Sequence, residues 1–507
     1  MPSTSPANRL APCIAILGTG SDVGKSIITT ALCRIFANQG LRVAPFKAQN
    51  MSNNSGVTPE GLEMGRAQIV QAEAARIAPH VDMNPILLKP TSEVGSQVVL
   101  HGQSMGNFKA GQYHLKKELF FQSVCDSVDR LRQNNDIVVI EGAGSCAEVN
   151  LMDRDIVNFR IANYTSAPVI LVADIHRGGV FAQIVGTLAC LEPALQDRVS
   201  GFIINRFRGD ISLFKEGADW ISDKTGKPCL GVIPYFDHFS IEAEDSVVVE
   251  KPAPVSKTAF KDPAIGIVRL PHISNFTDFD PLFRLTGVEV YFLEKVQDIS
   301  RFQALILPGS KNTRSDLEWL HNTGWSAVIK RFADAGGHIL GICGGYQMLG
   351  DTVKDPEGFE GRPGQTYGLG LLSIETVLKF PKITTRVRIR WEGQTGAGYE
   401  IHMGESLRNS GVPLLEIIEK NGSSCQNPDG AKTPDGRVMG SYVHGLFESP
   451  GILKKWLSGI GLTQIPVPEL FGWDARDRDF DLLAKHFMDH ADMEKIFAIS
   501  GITSPFI

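Results

Sequence analysis

A glycine-rich segment near the start of the chain has the composition of a phosphate-binding loop. Residues 18–26 read GTGSDVGKS, directly after an apolar run and before a helical one. In such a loop, backbone N–H groups and the positive end of the following helix bind phosphate oxygens, Lys25 reaches the terminal phosphates and Ser26 contacts Mg²⁺. Five residues, rather than the usual four, separate Gly18 from Gly24. We therefore predict a nucleoside triphosphate site with an extended loop; the alternative is a glycine-rich turn that only caps the helix.

An apolar run that ends in a carboxylate predicts a metal ligand beside this loop. Residues 136–140 read DIVVI and lead into Glu141 and a glycine-containing turn. A hard cation that bridges phosphates prefers carboxylate oxygens, so we expect Glu141 to bind Mg²⁺, unless it is only a glutamate of a surface turn. By chain order, Asp22 and Lys47 are weaker candidates for nucleotide contacts, and Glu63 is a weaker candidate for a metal contact. Each of these three could equally be a solvated loop residue.

A cysteine flanked by glycines in the second half predicts a nucleophile. Residues 341–345 read GICGG and stand between a strand-like run and a helical run, which fits a nucleophile elbow with Cys in place of Ser. The glycines permit the tight turn, and the start of the following helix stabilises a thiolate at Cys343. Backbone N–H groups of Gly344 and of Gly309, in a loop after another strand, could bind an oxyanion. The alternative is a buried structural cysteine.

His444 is the candidate base for this cysteine. It lies just past a strand-like run, about a hundred residues after Cys343. A lone histidine is more often a structural residue, but the pairing with a cysteine nucleophile favours a catalytic role. The nearest acid that follows is Glu448, which we expect to be an exposed loop residue.

The elements that would position these residues follow an alternating pattern. Short β-branched runs alternate with longer helical stretches, as in α/β domains with mainly parallel sheets. Strand candidates are 14–17, 42–45, 137–140, 169–173 and 201–205 in the first half, then 265–268, 304–307, 338–342 and 438–442. Ligands of such sheets bind beyond the carboxyl ends of the strands, where the candidate residues would meet. We predict two doubly wound, mainly parallel-sheet α/β domains.

A segment rich in Pro and Lys separates the two series of strands. Residues 251–263 read KPAPVSKTAFKDP, after an acidic stretch and before a new strand candidate. We predict a phosphate-loop domain at 1–250, a linker at 251–263, a cysteine-nucleophile domain at 264–450 and a helical C-terminal segment at 451–507.

Composition and charge exclude several classes of protein. The 507 residues are 43% hydrophobic and 21% charged, with a net charge of −6, which argues against a disordered chain and against a basic nucleic-acid-binding surface. The eight cysteines form no C-x-x-C pair, so neither a zinc site nor a disulfide framework is indicated. No stretch approaches the ~18 apolar residues of a membrane span. We expect a cytoplasmic protein that binds neither nucleic acid nor membrane.

Several of these motifs resemble known enzyme families. The extended loop, EGAGS at 141–145 and GFIINRFRGD at 201–210 resemble the dethiobiotin synthetase and cobyrinate amidase group of ATP-dependent enzymes, and the segments around Cys343 and His444 resemble a class I glutamine amidotransferase domain. Further segments resemble the cobyric acid synthase family: FKAQNMSN (46–53), GRAQ (65–68), RGGVFA (177–182), RLPHISN (269–275) and GYEIH (398–402). The chain departs from that family at His176, where we would expect Asp, and we assign this residue no role.

The resemblance implies a glutamine-hydrolysing carbon–nitrogen ligase of cobalamin synthesis. Its substrate would be adenosylcobyrinic acid a,c-diamide, whose b, d, e and g carboxylates are amidated with glutamine as nitrogen donor, ATP and Mg²⁺. A Cys–His dyad is also implied, because Gly445 and Leu446 stand where class I domains commonly carry Pro and Glu. The predicted nucleotide contacts are Gly20, Asp22, Gly24, Lys25, Ser26, Lys47 and Asn205, and the predicted metal contacts are Ser26, Glu63 and Glu141.

Three alternatives to this activity stay open at the level of sequence. The chain could be a cobyrinate a,c-diamide synthase, another glutamine-dependent amide ligase such as one acting on a cell-wall precursor, or a non-catalytic phosphate-loop ATPase regulator. Glutaminase activity would separate the enzymes from the regulator, and the mass of a corrinoid product would separate the enzymes from one another. The oligomeric state is not predicted.

Overall fold

The computed structural model of the chain describes residues 10–92, 95–109, 111, 113, 116–236, 262–468 and 472–503. The predicted linker at 251–263 lies outside these residues except for its last two positions. Within the described ranges, no helix is both long enough and apolar enough to cross a bilayer. All eight cysteines are free thiols.

The first half of the chain alternates strands and helices. Its strands are β1 (Cys13–Gly18), β2 (Val43–Phe46), β3 (Gln49–Met51), β4 (Ser55–Val57), β5 (Glu63–Gly65), β6 (Ile86–Ser92), β7 (Gly95–Leu100), β8 (Gln103–Lys109), β9 (Ile137–Glu141), β10 (Val169–Asp174), β11 (Val199–Phe207) and β12 (Cys229–Pro234). Its helices are α1 (Lys25–Asn38), α2 (Arg66–Ala74), α3 (Lys117–Asn134), α4 (Phe159–Thr165), α5 (Val180–Cys190), α6 (Pro193–Arg198) and α7 (Lys215–Thr225).

A six-stranded parallel sheet forms the centre of this first domain, with strand order β12-β11-β10-β1-β9-β2. Both of its faces are covered, as the apolar strands predict. In β1, Ala15 and Leu17 point into one hydrophobic core while Ile14 and Ile16 point into the other, because successive side chains of a strand face opposite ways. The carboxyl ends of β1, β9, β10 and β11 therefore meet at one edge of the sheet.

The second half of the chain begins a new series. Its strands are β13 (Ala264–Val268), β14 (Ile273–Ser274), β15 (Glu289–Leu293), β16 (Phe302–Leu307), β17 (Gly309–Ser310), β18 (His338–Ile342), β19 (Thr352–Asp355), β20 (Gly364–Tyr367), β21 (Ile374–Val377), β22 (Ile383–Trp391), β23 (Gln394–His402), β24 (Glu405–Arg408), β25 (Leu415–Lys420), β26 (Ser423–Asp429), β27 (Ala431–Lys432), β28 (Val438–Ser441) and β29 (Val443–His444). Its helices are α8 (Asp280–Phe283), α9 (Thr313–Thr323), α10 (Trp325–Asp334) and α11 (Gly344–Met348).

The main sheet of this second domain has the order β15-β13-β16-β18-β28-β27, parallel except for β27. The expected pair of mainly parallel α/β domains is thereby confirmed. An antiparallel sheet, β26-β25-β22-β23-β29, is added beside it, and the sequence analysis did not identify that sheet. The sequence pattern that indicates this sheet lies in β22, where buried Val387, Ile389 and Trp391 alternate with exposed arginines. Such alternation is typical of a sheet with one solvated face.

The C-terminal segment divides between the two domains. Helix α12 (Pro450–Gly459) packs on β23 of the second domain, whereas α13 (Gly472–Met488) and α14 (Met493–Ile499) return to the first domain and pack on α1 and β12. Arg34 of α1 is fully buried beneath α13, where it forms ion pairs with Asp477 and, at 2.8 Å, with Asp481. The sequence predicted helices here but not which domain they would join.

Candidate active sites

The predicted phosphate loop joins β1 to α1 with the backbone geometry that the glycines allow. Gly24 has φ 98°, and a Cβ there would lie 2.0 Å from Asn205 Nδ2, so only glycine fits. Asn205, at the end of β11, donates a hydrogen bond to the Val23 carbonyl at 3.0 Å. Lys25 donates to the carbonyls of Gly20 at 2.9 Å and Gly144 at 3.0 Å. The lysine ammonium is thus held at the loop, beside the backbone N–H groups that would bind phosphate.

Glu141 ends β9 directly opposite the start of α1. The Ser26 hydroxyl donates to Glu141 Oε1 at 2.8 Å, and Lys47 Nζ donates to the same oxygen at 3.0 Å. Gln71 donates its amide N–H to Oε2. Glu141 is fully buried, so its charge needs these donors. The adjacent hydroxyl and carboxylate oxygens fit a Mg²⁺ ion that also binds phosphate, although the described residues contain no cluster of three or more His, Cys, Asp or Glu side chains for a metal held by protein alone.

Asp22 lies at the mouth of this region with a left-handed backbone, φ 55°. Its carboxylate pairs with Arg206 at 2.9 Å and with Arg177 at 3.7 Å, and Arg206 also pairs with Asp174 at 3.0 Å. Asp22 therefore orders two arginines near the phosphate loop, in addition to lining the cavity itself.

A cavity of about 1220 Å³ opens over the carboxyl edge of the sheet. The phosphate loop forms its floor. Toward β2 it extends between apolar and aromatic side chains, and toward β12 it reaches the C-terminal helix α13. Its walls include Met51, Phe108, Tyr113, Leu151 and Met152 on the β2 side, and Ile233, Pro234, Tyr235, Phe236 and Leu483 on the β12 side.

The structure does not bring Glu63 to Ser26 and Glu141. Glu63 lies in a buried cluster between the two domains, where Lys89 and Ser55 donate to it at 2.8 Å and Lys382 of the second domain donates at 2.6 Å. Burial alone would raise the pKa of Glu63, but Lys382 and Lys89 hold it well below its usual range. Burial and the charge of Lys89 lower the pKa of Lys311, beside this cluster, to about 8. One carboxylate thus balances several cations at the domain interface.

We expect Glu63→Gln to destabilise the protein rather than to change its metal requirement. Lys89 and Lys382 would lose their shared counter-ion, which costs about 3–5 kcal/mol of unfolding free energy. Because the penalty comes from charged lysines, it should shrink as the pH rises through the pKa of Lys382, which burial lowers to about 7. Chemical denaturation at neutral and alkaline pH measures this.

The control for this experiment is Glu375→Gln, which breaks an exposed ion pair with Lys354 and should change the free energy of unfolding by under about 1 kcal/mol. An unchanged stability of Glu63→Gln, together with a raised Mg²⁺ requirement in synthesis, would favour the original metal-ligand prediction instead.

Cys343 occupies a strained turn between β18 and α11. Its φ is 52° and its ψ is −108°, a conformation unusual for a residue with a Cβ and typical of a nucleophile elbow. The thiol is 5% exposed and its sulfur lies 3.5 Å from the Ile401 carbonyl of β23. A Cβ on Gly341 or Gly345 would lie within 2.7 Å of backbone atoms, so the flanking glycines are required for the turn to pack against the sheet.

His444 completes the site from β29, close enough to Cys343 for the sulfur to raise the pKa of the imidazole. Its Nδ1 lies 2.6 Å from Asp278 Oδ2, and the other oxygen of Asp278 accepts from the Gly445 N–H at 3.0 Å. Burial lowers the pKa of His444, but the Asp278 carboxylate and the Cys343 sulfur outweigh it and raise the pKa to about 10. The Tyr399 ring stacks on the imidazole at 5.2 Å. The arrangement is a Cys–His–Asp triad in which the carboxylate favours the protonated imidazole.

Sequence reasoning predicted a dyad and missed Asp278. This residue belongs to a 3₁₀ turn, Phe276–Phe279, that follows the RLPHISN segment. A signal was available, because an aspartate between phenylalanines is buried here and a buried carboxylate needs a charged partner. Glu448, the nearer acid in sequence, instead accepts from Arg476 at 2.7 Å. His176 is exposed beyond β10.

The two glycines predicted for an oxyanion site both lie at the triad. A Cβ on Gly309 would be 3.1 Å from His444 Cε1, and a Cβ on Gly344 would be 2.8 Å from the backbone nitrogen of Ser310. The pairing of β17 with β14 holds Gly309 in place. The backbone of these two turns therefore converges beside the sulfur, as transition-state stabilisation at a carbonyl requires.

Two asparagines join the cavity wall to the triad segment across the domain interface. Asn54 Oδ1 accepts from the Phe276 N–H at 3.1 Å, and Asn275 Oδ1 accepts from the Ser55 N–H at 3.1 Å. Residues 49–51, just before Asn54, line the large cavity. Asp278 follows Asn275 by three residues. Hydrogen bonds across the interface thus join the segment that follows the cavity wall to the segment that precedes Asp278.

We expect Asp278→Asn to reduce glutamine hydrolysis by about 10²- to 10⁴-fold, the range for loss of an orienting triad carboxylate. Without this carboxylate, burial dominates and the pKa of His444 falls. The imidazolium is the form that protonates the leaving ammonia, so the alkaline limb of the pH–rate profile should move to lower pH. Measuring kcat/KM for glutamine across neutral and alkaline pH tests both effects.

The matched control for this variant is Glu448→Gln, which removes the acid nearest to His444 in sequence but leaves the triad intact. It should keep the wild-type rate and pH profile. Equal losses in the two variants, or an alkaline limb that does not move in Asp278→Asn, would contradict the triad.

Comparison with known proteins relates each half of the chain to a family. Residues 14–248 match the family described as CobQ/CobB/MinD/ParA nucleotide binding domain, and residues 264–452 match the CobB/CobQ-like glutamine amidotransferase domain. The chain is 51% identical over 494 residues to the cobyric acid synthase of Chlorobaculum tepidum, covering 97% of this chain and 98% of the relative.

Two further relatives carry the same name. The cobyric acid synthase of Chlorobium phaeobacteroides is 50% identical, covering 96% of each chain. That of Syntrophobacter fumaroxidans is 44% identical, covering 96% of this chain and 98% of the relative.

Proposed function

Since the chain belongs to the cobyric acid synthase family, we propose that it amidates peripheral carboxylates of a corrinoid with ammonia drawn from glutamine, using ATP to activate each carboxylate. The observation that carries this proposal is the presence of two different candidate sites on one chain. One is the buried Cys343–His444–Asp278 triad, and the other is the phosphate loop with Lys25 beside Glu141. Neither site alone makes an amide from a free acid with glutamine as the nitrogen source.

In the triad, the Cys343 sulfur attacks the side-chain carbonyl carbon of glutamine. The oxygen becomes an anion beside the Gly309 and Gly344 backbones, and the C–N bond breaks as the His444 imidazolium donates a proton to the departing ammonia. Water, deprotonated by the now neutral His444, then hydrolyses the glutamyl thioester to glutamate and regenerates the thiol. Asp278 holds the imidazole in orientation through both steps.

At the phosphate loop, a carboxylate oxygen of the corrinoid attacks the terminal phosphorus of ATP, and ADP leaves. The Lys25 ammonium and the loop N–H groups stabilise the negative charge that spreads over the transferring group. Ser26 and Glu141 would hold Mg²⁺, which supplies further charge neutralisation of the phosphates when bound. Ammonia then attacks the carbonyl carbon of the acyl phosphate, and phosphate leaves as the amide forms.

The β2 side of the cavity suits a large, partly apolar substrate. This side of the cavity adjoins Lys47 and Glu141. The terminal phosphate of ATP would lie beside these two residues. The wall on this side presents Met51, Phe108 and Tyr113, with Met51 54% exposed. We assign adenosylcobyrinic acid a,c-diamide to this side, with its b, d, e and g carboxylates presented in turn. The eight free thiols suit a reducing, cytoplasmic setting.

Product mass tests the proposal. The full-length enzyme is incubated with the a,c-diamide, glutamine, ATP and Mg²⁺, and the corrinoids are resolved by mass spectrometry. Species with one, two and three new amides should precede the fourfold product, and one ATP should be consumed for each. Tight binding of every intermediate would slow release without speeding the chemistry, so partly amidated species should appear free in solution.

Other outcomes of this incubation would replace the proposal. No addition to the a,c-diamide, together with only two additions to a corrinoid whose a and c carboxylates are free in a parallel incubation, would identify a cobyrinate a,c-diamide synthase. ATP hydrolysis with no glutaminase activity would identify a regulatory ATPase. A strictly processive reaction, with no free intermediates under excess substrate, would contradict the expected release of partly amidated corrinoids.

A further inference from the structure

The C-terminal helix α13 forms part of the wall of the large cavity. Leu483, His486 and Phe487 of this helix line it, together with residues 233–236 at the end of β12. Helix α13 lies outside both residue ranges that match the two domain families, 14–248 and 264–452. Neither family therefore accounts for this part of the cavity.

The strand order decides which portion of a nucleotide would reach α13. Lys47 and Glu141, which mark the terminal phosphate end, follow β2 and β9 on one side of β1. The strands β10, β11 and β12 lie on the other side of β1. A triphosphate bound along the loop with its terminal phosphate toward Glu141 therefore directs its ribose and base toward β11 and β12. Asn205 and Phe236 line that end of the cavity.

The residues at this end offer the surface that a flat heteroaromatic base requires. The Phe236 and His486 rings lie 4.5 Å apart, and Leu483 adds an aliphatic contact. His486 Nε2 lies 3.1 Å from the Pro234 carbonyl. A carbonyl oxygen only accepts hydrogen bonds, so Nε2 carries the proton and the imidazole fixes the end of β12 against the helix.

The helix is anchored to the same element that begins the phosphate site. Arg34 of α1 is buried beneath α13 and pairs with Asp477 and Asp481. Phe480 and Phe487 enter the hydrophobic core that covers α1. The phosphate end and the α13 end of the cavity are consequently built on one packed unit.

We propose that α13 closes the base end of the nucleotide pocket, with Phe236 and His486 as the ring surface against which the base of ATP stacks. The inference rests on the proposed use of ATP by the phosphate loop. It assigns to the C-terminal segment a role in nucleotide affinity and base discrimination, in which His486 contributes to the ring surface and also holds the end of β12 that carries Phe236.

Binding of ATP and of inorganic triphosphate to the full-length protein separates this role from simple structural support. In His486→Ala, the affinity for ATP should fall about tenfold, the effect of losing one stacking contact with a base. The affinity for inorganic triphosphate, which has no base, should stay at the wild-type value. The preference for ATP over GTP and CTP should narrow in the same variant. Titration calorimetry with Mg²⁺ present measures all of these affinities.

The matched control is Lys485→Ala, next to His486 but with its side chain 69% exposed and, among the described residues, paired only with Asp489 just past the end of the helix. It should leave all of these affinities unchanged. If His486→Ala does not fold, Phe236→Ala carries the test, because its ring is half-buried at the cavity and should give the same selective loss of ATP affinity.

Unchanged ATP affinity in a folded His486→Ala or Phe236→Ala protein would overturn the proposal. So would an equal loss for ATP and for inorganic triphosphate, because that would indicate a general disturbance of the domain. Failure of the underlying ATP site is recognised separately. Lys25→Ala should lower the affinity for both ATP and inorganic triphosphate. If it lowers neither affinity, the phosphate loop is not the ATP site.

Discussion

Cys343→Ala should lose glutamine-dependent synthesis by at least about 10⁴-fold, the range for removal of a catalytic nucleophile, while synthesis from added ammonium salt continues. The glutamyl thioester cannot form without the sulfur, but the acyl phosphate needs only ammonia. Parallel assays of the corrinoid product with glutamine and with ammonium chloride measure the two activities. The same comparison on His444→Ala should show the same pattern with a higher residual rate, because the thiol keeps some nucleophilicity without its base.

Cys425→Ala provides a matched control. Its sulfur also lies 3.5 Å from a strand carbonyl, that of Ile417, but it is remote from the triad in the antiparallel sheet. Both nitrogen sources should support wild-type synthesis in this variant. If ammonium salt fails to rescue Cys343→Ala while the protein stays folded, the separation into two sites is wrong.

Lys25→Ala should remove synthesis with either nitrogen source. The ammonium of Lys25 is held at the loop by the carbonyls of Gly20 and Gly144, where a transferring phosphoryl group would need its charge. Removing one such cation costs about 10³-fold or more in phosphoryl transfer. Glutamine hydrolysis at the triad of the second domain should persist. The variant should therefore release glutamate from glutamine but form no corrinoid amide.

The control for this loss is Lys224→Ala, an exposed lysine of α7 in the same domain, which should retain synthesis from both nitrogen sources. Near-normal turnover of Lys25→Ala with ammonia would refute the ATP-site assignment. Taken with Cys343→Ala, the two variants give opposite patterns. One enzyme lacks only the ammonia source, and the other lacks only carboxylate activation.

The sequence by itself determined the features that arise from contiguous residues. Glycines at fixed offsets around Lys25 and around Cys343 dictate a strand, a tight turn and a helix, because no other residue fits those backbone positions. The sequence also determined the fold class, because alternating apolar strands and helices have few ways to bury both faces of a sheet. Local chain stereochemistry and hydrophobic burial are sufficient for these predictions.

Tertiary structure alone decided which distant residues meet. Asp278 and His444 are 166 positions apart, and only the packing of the 3₁₀ turn Phe276–Phe279 against the chain at the end of β29 brings them within hydrogen-bonding distance. Glu63 resembled a metal ligand by chain order, yet the domain interface surrounds it with Lys89 and Lys382. Helix α13 could have joined either domain. Which domain it packs against depends on the burial of Arg34 and on side-chain packing. These are properties of the assembled surfaces, and no periodic pattern in the sequence indicates them.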